Sequence, residues 1–261
     1  MTGGATQLSE AMILAAGRGE RMRPLTNTLP KPLVIIRGAP LIEHHIRKLV
    51  AIGIKRIVIN VSYLAEALMA ALADGSRFGC ELIYSVEAEP LESGGGVATA
   101  SHHFQSRVMV LVSADIYSDF DYARLLQPAA AIEKGRNKAH FVMVPCVAGE
   151  PGGEFALEQD GYVSLGKPRL TLASIGLLSV AECQRWPRGE RFSLLPTYQQ
   201  WAAEHAVTGE LHPGERVNVT SFADVEALNE RTIPHPNPGA EGDNPVAALA
   251  GEGVKQNGVT L

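Results

Sequence analysis

Short, almost wholly apolar runs alternate along the first half of this chain with segments of helical spacing. That alternation limits the fold more than any other feature. Residues 11–16, 57–61, 81–85 and 108–112 read as strands. Between them, residues 41–52 set Leu41, Ile42, Ile46, Leu49 and Val50 on one helical face and stop at Gly53, and residues 64–72 repeat the pattern before Asp74 and Gly75. Strands that are apolar on both faces need cover on both sides, and helical crossovers supply it. Right-handed crossovers leave a doubly wound, mostly parallel, Rossmann-like α/β sheet as the simplest architecture. Ligands in that design sit beyond the carboxyl ends of the strands, where Gly17 and Gly19 fall, and where Gly94, Gly95 and Gly96 open an expected helix through Phe104.

The second half is richer in strand signals, at residues 141–145, 154–158, 162–165 and 170–178. A helix is expected over 192–205, a short strand over 217–219, and a helix over 221–229 with Ser221 as its N-cap. These patterns predict a single domain over residues 11–232, with a nucleotide-binding half at 11–125 and a β-rich half at 126–232. Residues 1–10 and 233–261 lack a periodic apolar face and are expected to be disordered.

Composition narrows the function classes. Net charge is −5 with no basic run, which argues against a nucleic-acid surface, so any bound anion must be met by a local cluster of cations. No stretch approaches the ~18 apolar residues of a membrane span, and no signal-peptide pattern precedes residue 11, which predicts a cytoplasmic protein. Cys80, Cys146 and Cys183 are too far apart for a disulfide framework or a cysteine-based zinc site.

The loop after the first strand supplies the cation cluster. Gly17 and Gly19 permit close backbone approach to an anion, and Arg18, Arg21, Arg23 and Lys31 face one acid, Glu20. Such a set suits a polyphosphate. It is neither a Walker A motif nor a full G-x-G-x-x-G, since position 22 is Met. The whole string, Leu-Ala-Ala-Gly-Arg-Gly-Glu-Arg-Met-Arg-Pro-Leu-Thr-Asn-Thr-Leu-Pro-Lys-Pro-Leu, resembles the signature of the sugar-1-phosphate nucleotidylyltransferase family. The likeness extends through Leu91-Glu92-Ser93-Gly94-Gly95-Gly96 and Ser113-Ala114-Asp115, and covers about residues 11–230. Within the family it is most similar to the branch that uridylylates N-acetylmuramate 1-phosphate in cell-wall recycling.

The resemblance implies a reaction and a site. UMP would pass from UTP to a sugar 1-phosphate, giving a UDP-sugar and pyrophosphate with Mg²⁺ as cofactor, in a monomer or small homo-oligomer. The nucleophile is an ionised phosphate oxygen, so no general base is needed, and His44, His45, His102 and His103 are not recruited. Arg21 and Lys31 are the implied catalytic residues. Ala15, Gly17, Gly19, Glu20, Arg21, Lys31, Gly94 and Gly95 would bind the nucleotide, and Ser113, Gly153, Glu154 and Ser174 the sugar. Asp115 and Asn218 would hold the metal.

Three positions depart from the family pattern. Ala114 precedes Asp115 where relatives carry Gly, Asn218 stands where they carry the second metal-binding Asp, and Ser174 replaces a sugar-contacting Asn. Two alternatives therefore stand beside uridylyl transfer. One is guanylyl transfer or another nucleotide–sugar pair on the same fold; the other is a nucleotide-binding regulatory subunit with a decayed metal site.

Overall fold

The computed structural model describes residues 8–146, 153–167 and 169–230. Seven strands form the main sheet: β1 (Glu10–Leu14), β2 (Arg56–Val61), β3 (Glu81–Val86), β4 (Val108–Ser113), β5 (Ala139–Pro145), β6 (Leu170–Ser179) and β7 (Val207–Leu211). Their order is β7-β5-β6-β4-β1-β2-β3. β1 pairs in parallel with β2 and β4, β2 with β3, and β7 with β5, whereas β6 runs antiparallel between β4 and β5. The sheet is thus an α/β, Rossmann-like one of mixed direction, and it continues across residue 125 without a break.

Period-two alternation divides each central strand between two cores. In β4, Val108, Val110 and Val112 point into one cluster and Met109 and Leu111 into the other; β1 divides Ala11 and Ile13 from Met12 in the same way. The first cluster is covered by α1 (Leu41–Ala51), α2 (Ala65–Leu72) and α4 (Leu126–Glu133) through Ile42, Ile46, Leu49, Leu68, Leu72, Ala129 and Ile132. The second is covered by α3 (Glu92–Ala100), the single turn α5 (Val180–Cys183) and α6 (Leu195–Ala203) through Val97, Ala100, Cys183, Tyr198 and Trp201.

A last helix, α7 (Phe222–Glu230), closes a smaller apolar group with Met22, Val34, Ile36, Leu41, Val219 and Leu228. The expected cap is present: Ser221 Oγ accepts from the Asp224 N–H at 3.3 Å, and the Asp224 carboxylate accepts from the Ser221 N–H at 2.7 Å. Arg37 then ties α7 to the body, donating to the Leu228 carbonyl and the Tyr117 hydroxyl and pairing with Glu215 at 3.0 Å.

Several boundaries differ from expectation for identifiable reasons. Leu8 is buried and Glu10 opens β1, so ordered structure begins before residue 11; residues 1–7 and 231–261 lie outside the described residues. The strands expected over 154–158 and 162–165 shrink to the two-residue ladder Ala156–Leu157 with Val163–Ser164. Helix α6 starts at Leu195, because Phe192 and Leu194 bond to Leu91 and Ser93 instead. The glycine triplet lies inside α3, which begins two residues earlier at Glu92.

Glycine inside a helix costs roughly 1 kcal/mol against alanine, and close packing explains the triplet. A Cβ on Gly95 would lie 2.0 Å from the Glu190 carbonyl oxygen, and one on Gly96 2.6 Å from Asn60 Nδ2.

Candidate active site

The carboxyl ends of β1, β2 and β4 meet at Leu14, Asn60 and Ser113, which share one register line. Beyond them opens a cleft of about 900 Å³, walled by the loop after β1, the loop between β3 and α3, and the residues after β4. Asn60 holds two of these walls together. Its Oδ1 accepts from the Ala15 N–H at 2.9 Å, and its Nδ2 donates to Glu87 Oε1 at 2.7 Å. Glu87 Oε2 in turn accepts from the Leu91 N–H at 2.9 Å. The loop after β1, strand β2 and the loop between β3 and α3 are thereby tied together by a buried polar chain.

The glycine loop winds tightly. Gly19 takes a left-handed conformation (φ 62°) ahead of the single turn Glu20–Met22, and Thr26 Oγ1 donates to its carbonyl at 2.8 Å. A Cβ there would also press on Thr26 Cγ2 at 3.0 Å and Lys31 Cβ at 3.2 Å, so glycine is needed for space as well as for φ. Met22 is buried in the small cluster and pins the turn, leaving Glu20 and Arg21 on the cleft wall.

Lys31 begins a second short turn, Lys31–Leu33, and is itself buried. Its Nζ reaches Asp115 Oδ2 at 3.1 Å, while Ser113 Oγ donates to Asp115 Oδ1 at 2.8 Å. Burial pushes the Asp115 carboxyl up. The charge of Lys31, the hydrogen bonds from Ser113 and Lys31, and the charge of Arg216 outweigh it and hold the group below the usual carboxylate range. Asp115 is therefore an anion at neutral pH.

Positive charge is not concentrated in the cleft as the sequence predicts. Arg18, Arg21, Lys31 and Arg191 line it together with Glu20, Glu89, Glu92 and Asp115, four cations against four acids. Arg18 pairs with Glu89 at 2.7 Å, Arg191 with Glu92 at 3.0 Å, and Lys31 with Asp115; Arg21 has no such partner among the described residues. Apart from Glu20, the acids arrive from the segment that leads from β3 into α3 and from the residues after β4, far from the glycine loop in sequence. A polyanion entering here exchanges with these carboxylates or brings a divalent cation with it.

A second pocket, about 230 Å³, opens from the same floor and shares Leu14, Ser93 and Ser113 with the cleft. Ser174 lines it from an irregularity in β6 between Leu172 and Gly176, where its backbone turns left-handed (φ 60°). Non-glycine residues in that region carry strain that tends to collect at functional sites.

The remaining residues named from the sequence fall as follows. Ala15, Gly17, Gly19, Glu20, Arg21, Lys31, Ser113 and Asp115 all line the large cleft. Gly94 and Gly95 line neither pocket, and their N–H groups donate to the Phe192 carbonyl at 2.9 and 3.2 Å. Gly153 and Glu154 precede the Phe155–Leu170 bridge and also line neither, with the Gly153 carbonyl accepting from Arg169 Nη1 at 3.2 Å. Asn218 is at the end of the strand Arg216–Asn218, which pairs antiparallel with Ile116–Ser118, and the neighbouring Val219 N–H donates to the Asp115 carbonyl at 2.9 Å. Asn60, Glu89, Ser93 and Arg191 line the cleft without having been picked out as site residues. Arg191, in an unpatterned stretch of the second half, carries no sequence signal at all.

This arrangement, a glycine-loop polyanion cleft at the strand ends with an adjoining pocket, is that of a nucleotide-transferring enzyme. Residues 10–151 match the model of the nucleotidyl transferase family, and the chain belongs to that family. It is similar to N-acetylmuramate alpha-1-phosphate uridylyltransferase of Neisseria meningitidis, with 36% identity over 209 residues, 78% of this chain and 90% of the relative. It is also similar to the mannose-1-phosphate guanylyltransferase of Mycobacterium tuberculosis, with 34% identity over 122 residues, 47% of this chain and 34% of that protein. Among solved structures, one from Bacillus anthracis superposes with a TM-score of 0.76 at 16% identity, over 88% of this chain and 98% of that one. HddC from Yersinia pseudotuberculosis does so with a TM-score of 0.68 at 20% identity, over 86% and 99%. The chain is thus an enzyme of the nucleotidylyltransferase class, joining a nucleoside triphosphate to a sugar 1-phosphate.

Proposed function

We propose that this enzyme transfers UMP from UTP to N-acetylmuramate 1-phosphate, releasing pyrophosphate, in the cytoplasm. The observation that carries the reading is the junction of the two pockets. Lys31 and Asp115 stand at the floor of the cleft, beside the shared residues Leu14, Ser93 and Ser113, so a triphosphate and a sugar phosphate can meet there. The uridylyltransferase likeness spans most of both chains, whereas the guanylyltransferase likeness spans a third of the relative, which favours UTP.

The reaction is an in-line displacement at the α-phosphorus, and the chain's contribution is positioning and charge. Lys31 leaves Asp115 for the phosphate oxygens on which negative charge is shared between attacking and leaving groups. Arg21, unpaired in the cleft, meets the charge that grows toward pyrophosphate. The Gly17–Gly19 backbone lies along the triphosphate, and Ser113 and Ser174 orient the sugar. No described histidine lines either pocket, consistent with a nucleophile that needs no base.

The donor set suits a hard divalent cation. Asp115 is ionised, and Asn218 Oδ1, close to it along the chain pairing, is buried without a hydrogen-bond partner. An orphaned amide oxygen one register step from Asp115 and that residue's carboxylate are oxygen donors of the kind Mg²⁺ accepts, with phosphate and water filling the rest of its octahedron. Mg²⁺ bound there would neutralise the phosphate oxygens.

Pyrophosphate release, measured over a grid of UTP, GTP and dTTP against several sugar 1-phosphates with and without Mg²⁺, tests this reading. Highest kcat/KM is expected for UTP with N-acetylmuramate 1-phosphate, and none without the metal. A dominant GTP column with mannose 1-phosphate would replace it with guanylyl transfer.

A further inference from the structure

The smaller pocket has a composition that matters for an acidic sugar. Its floor is apolar, built from Leu111, Phe141, Leu172, Leu178, Leu194 and Tyr198. Its polar groups are hydroxyls, those of Ser93, Ser113, Ser174, Ser193 and Tyr198, and none of its lining residues is charged. A carboxylate taken into that space would lose its hydration and gain no counter-charge, which is costly. An acid on the sugar must therefore be met at the rim.

Arg191 supplies a cation on the segment that joins the two cavities. It lines the large cleft, and Ser193, two residues on, lines the smaller pocket. Its backbone is strapped to α3 on both sides. The Gly189 N–H donates to Thr99 Oγ1 at 3.0 Å, the Phe192 N–H to the Leu91 carbonyl at 3.2 Å, and the Leu194 N–H to Ser93 Oγ at 3.0 Å. The Phe192 carbonyl accepts from Gly94 and Gly95, so the glycine triplet works here as the seat of the strap. Glu92 orients the guanidinium through Nε at 3.0 Å, which leaves the two Nη groups to face a second carboxylate. Arg18, Arg21 and Lys31 stand on the other wall, on or after the glycine loop, where the triphosphate needs them.

We propose that Arg191 is a specificity-determining residue that receives the carboxylate of an acidic sugar 1-phosphate. The inference rests on the acidic-sugar reading given under Proposed function. A planar guanidinium held by one carboxylate keeps its Nη donors free for bidentate donation to a second.

The test compares N-acetylmuramate 1-phosphate with N-acetylglucosamine 1-phosphate, which lacks the lactyl acid, on the wild-type enzyme, R191A and R191K with UTP and Mg²⁺. In R191A, KM for the acidic sugar should rise roughly tenfold to a hundredfold, the scale of one charged hydrogen-bonding partner. Its kcat should stay within about threefold, because the reacting atoms lie at Lys31 and Asp115. R191K, with the charge but without the fork, should recover part of the loss. Unchanged melting temperature of R191A excludes a folding effect. An equal rise in KM for both sugars, or a rise in KM for UTP, overturns the proposal and assigns Arg191 to the common phosphate site. Wild-type preference for the acidic sugar that survives in R191A overturns it while leaving the proposed function standing. A wild-type enzyme that does not use the acidic sugar overturns both.

Discussion

Lys31 shows how one side chain links loop, strand and chemistry. The sequence places it in a basic loop, yet it is buried with its ammonium 3.1 Å from Asp115. Lys31→Ala should lower kcat by about 10²–10³, the scale of one preorganised donor at a charged transition state. Arg21→Ala should lose a similar factor with its melting temperature unchanged, since Arg21 is exposed. Steady-state kinetics with thermal melts check both; near-wild-type turnover in either would remove that residue from the mechanism. At position 218 the missing charge can be restored. Asn218→Asp should tighten Mg²⁺ in calorimetric titration without nucleotide, because a carboxylate replaces a neutral oxygen on the strand paired next to Asp115. An unchanged affinity would mean that this side chain does not face the ion.

At the scale of elements, two helices carry distinct predictions. In α3, Gly95→Ala sets a Cβ 2.0 Å from the Glu190 carbonyl, a backbone atom that cannot swing aside. The strap must lift, at a cost of about 1–3 kcal/mol for overpacking. Urea unfolding reads the loss; a stability within error of wild type would show that the strap is not seated on the glycines. In α1, His45 is buried, with Nε2–H donating to the Ile116 carbonyl at 2.8 Å and Nδ1 accepting from the Tyr122 hydroxyl at 2.7 Å. Burial lowers its pKa from 6.5 to about 4. The unfolded chain then binds more protons between those values, so this residue's share of stability is full above pH 6.5 and is lost as pH falls toward 4. The loss amounts to roughly 3 kcal/mol. Unfolding at pH 7 and pH 4.5 should show a smaller pH difference in His45→Gln than in wild type, and equal differences would refute the assignment.

At the scale of the molecule, the cleft gathers walls from residues 14–22, 31–32, 60, 89–93, 113–115, 191 and 220, and a ligand spanning them binds only the folded chain. UTP with Mg²⁺ at a hundredfold over its Kd should add about 2.7 kcal/mol. For a domain of this size that is roughly 5–10 °C in Tm. Differential scanning calorimetry with and without nucleotide checks it, and no shift with UTP would mean that the cleft is not the nucleotide site.

Whatever local chemistry encodes is legible in the residues before any fold is known. Short runs apolar on both faces had to become strands covered on both sides, and the contiguous glycines and cations of Leu14–Leu33 marked a tight, cation-rich loop after the first strand. The Ser221–Asp224 cap was legible for the same reason, three residues apart on one turn. Pairings between distant segments come from the folded chain alone. The sheet's antiparallel β6 between β4 and β5 could not be read, since strand direction is set by crossover paths and not by composition. Strand β7 is half-exposed along an edge and carries little apolar pattern, so its sequence gives no strand signal. The carboxylates that occupy Arg18, Lys31 and Arg191 come from 71, 84 and 99 residues away along the chain. The role of the glycine triplet was likewise hidden: glycine signals that something comes close, but only the folded chain shows that the neighbour is the Glu190–Phe192 strap.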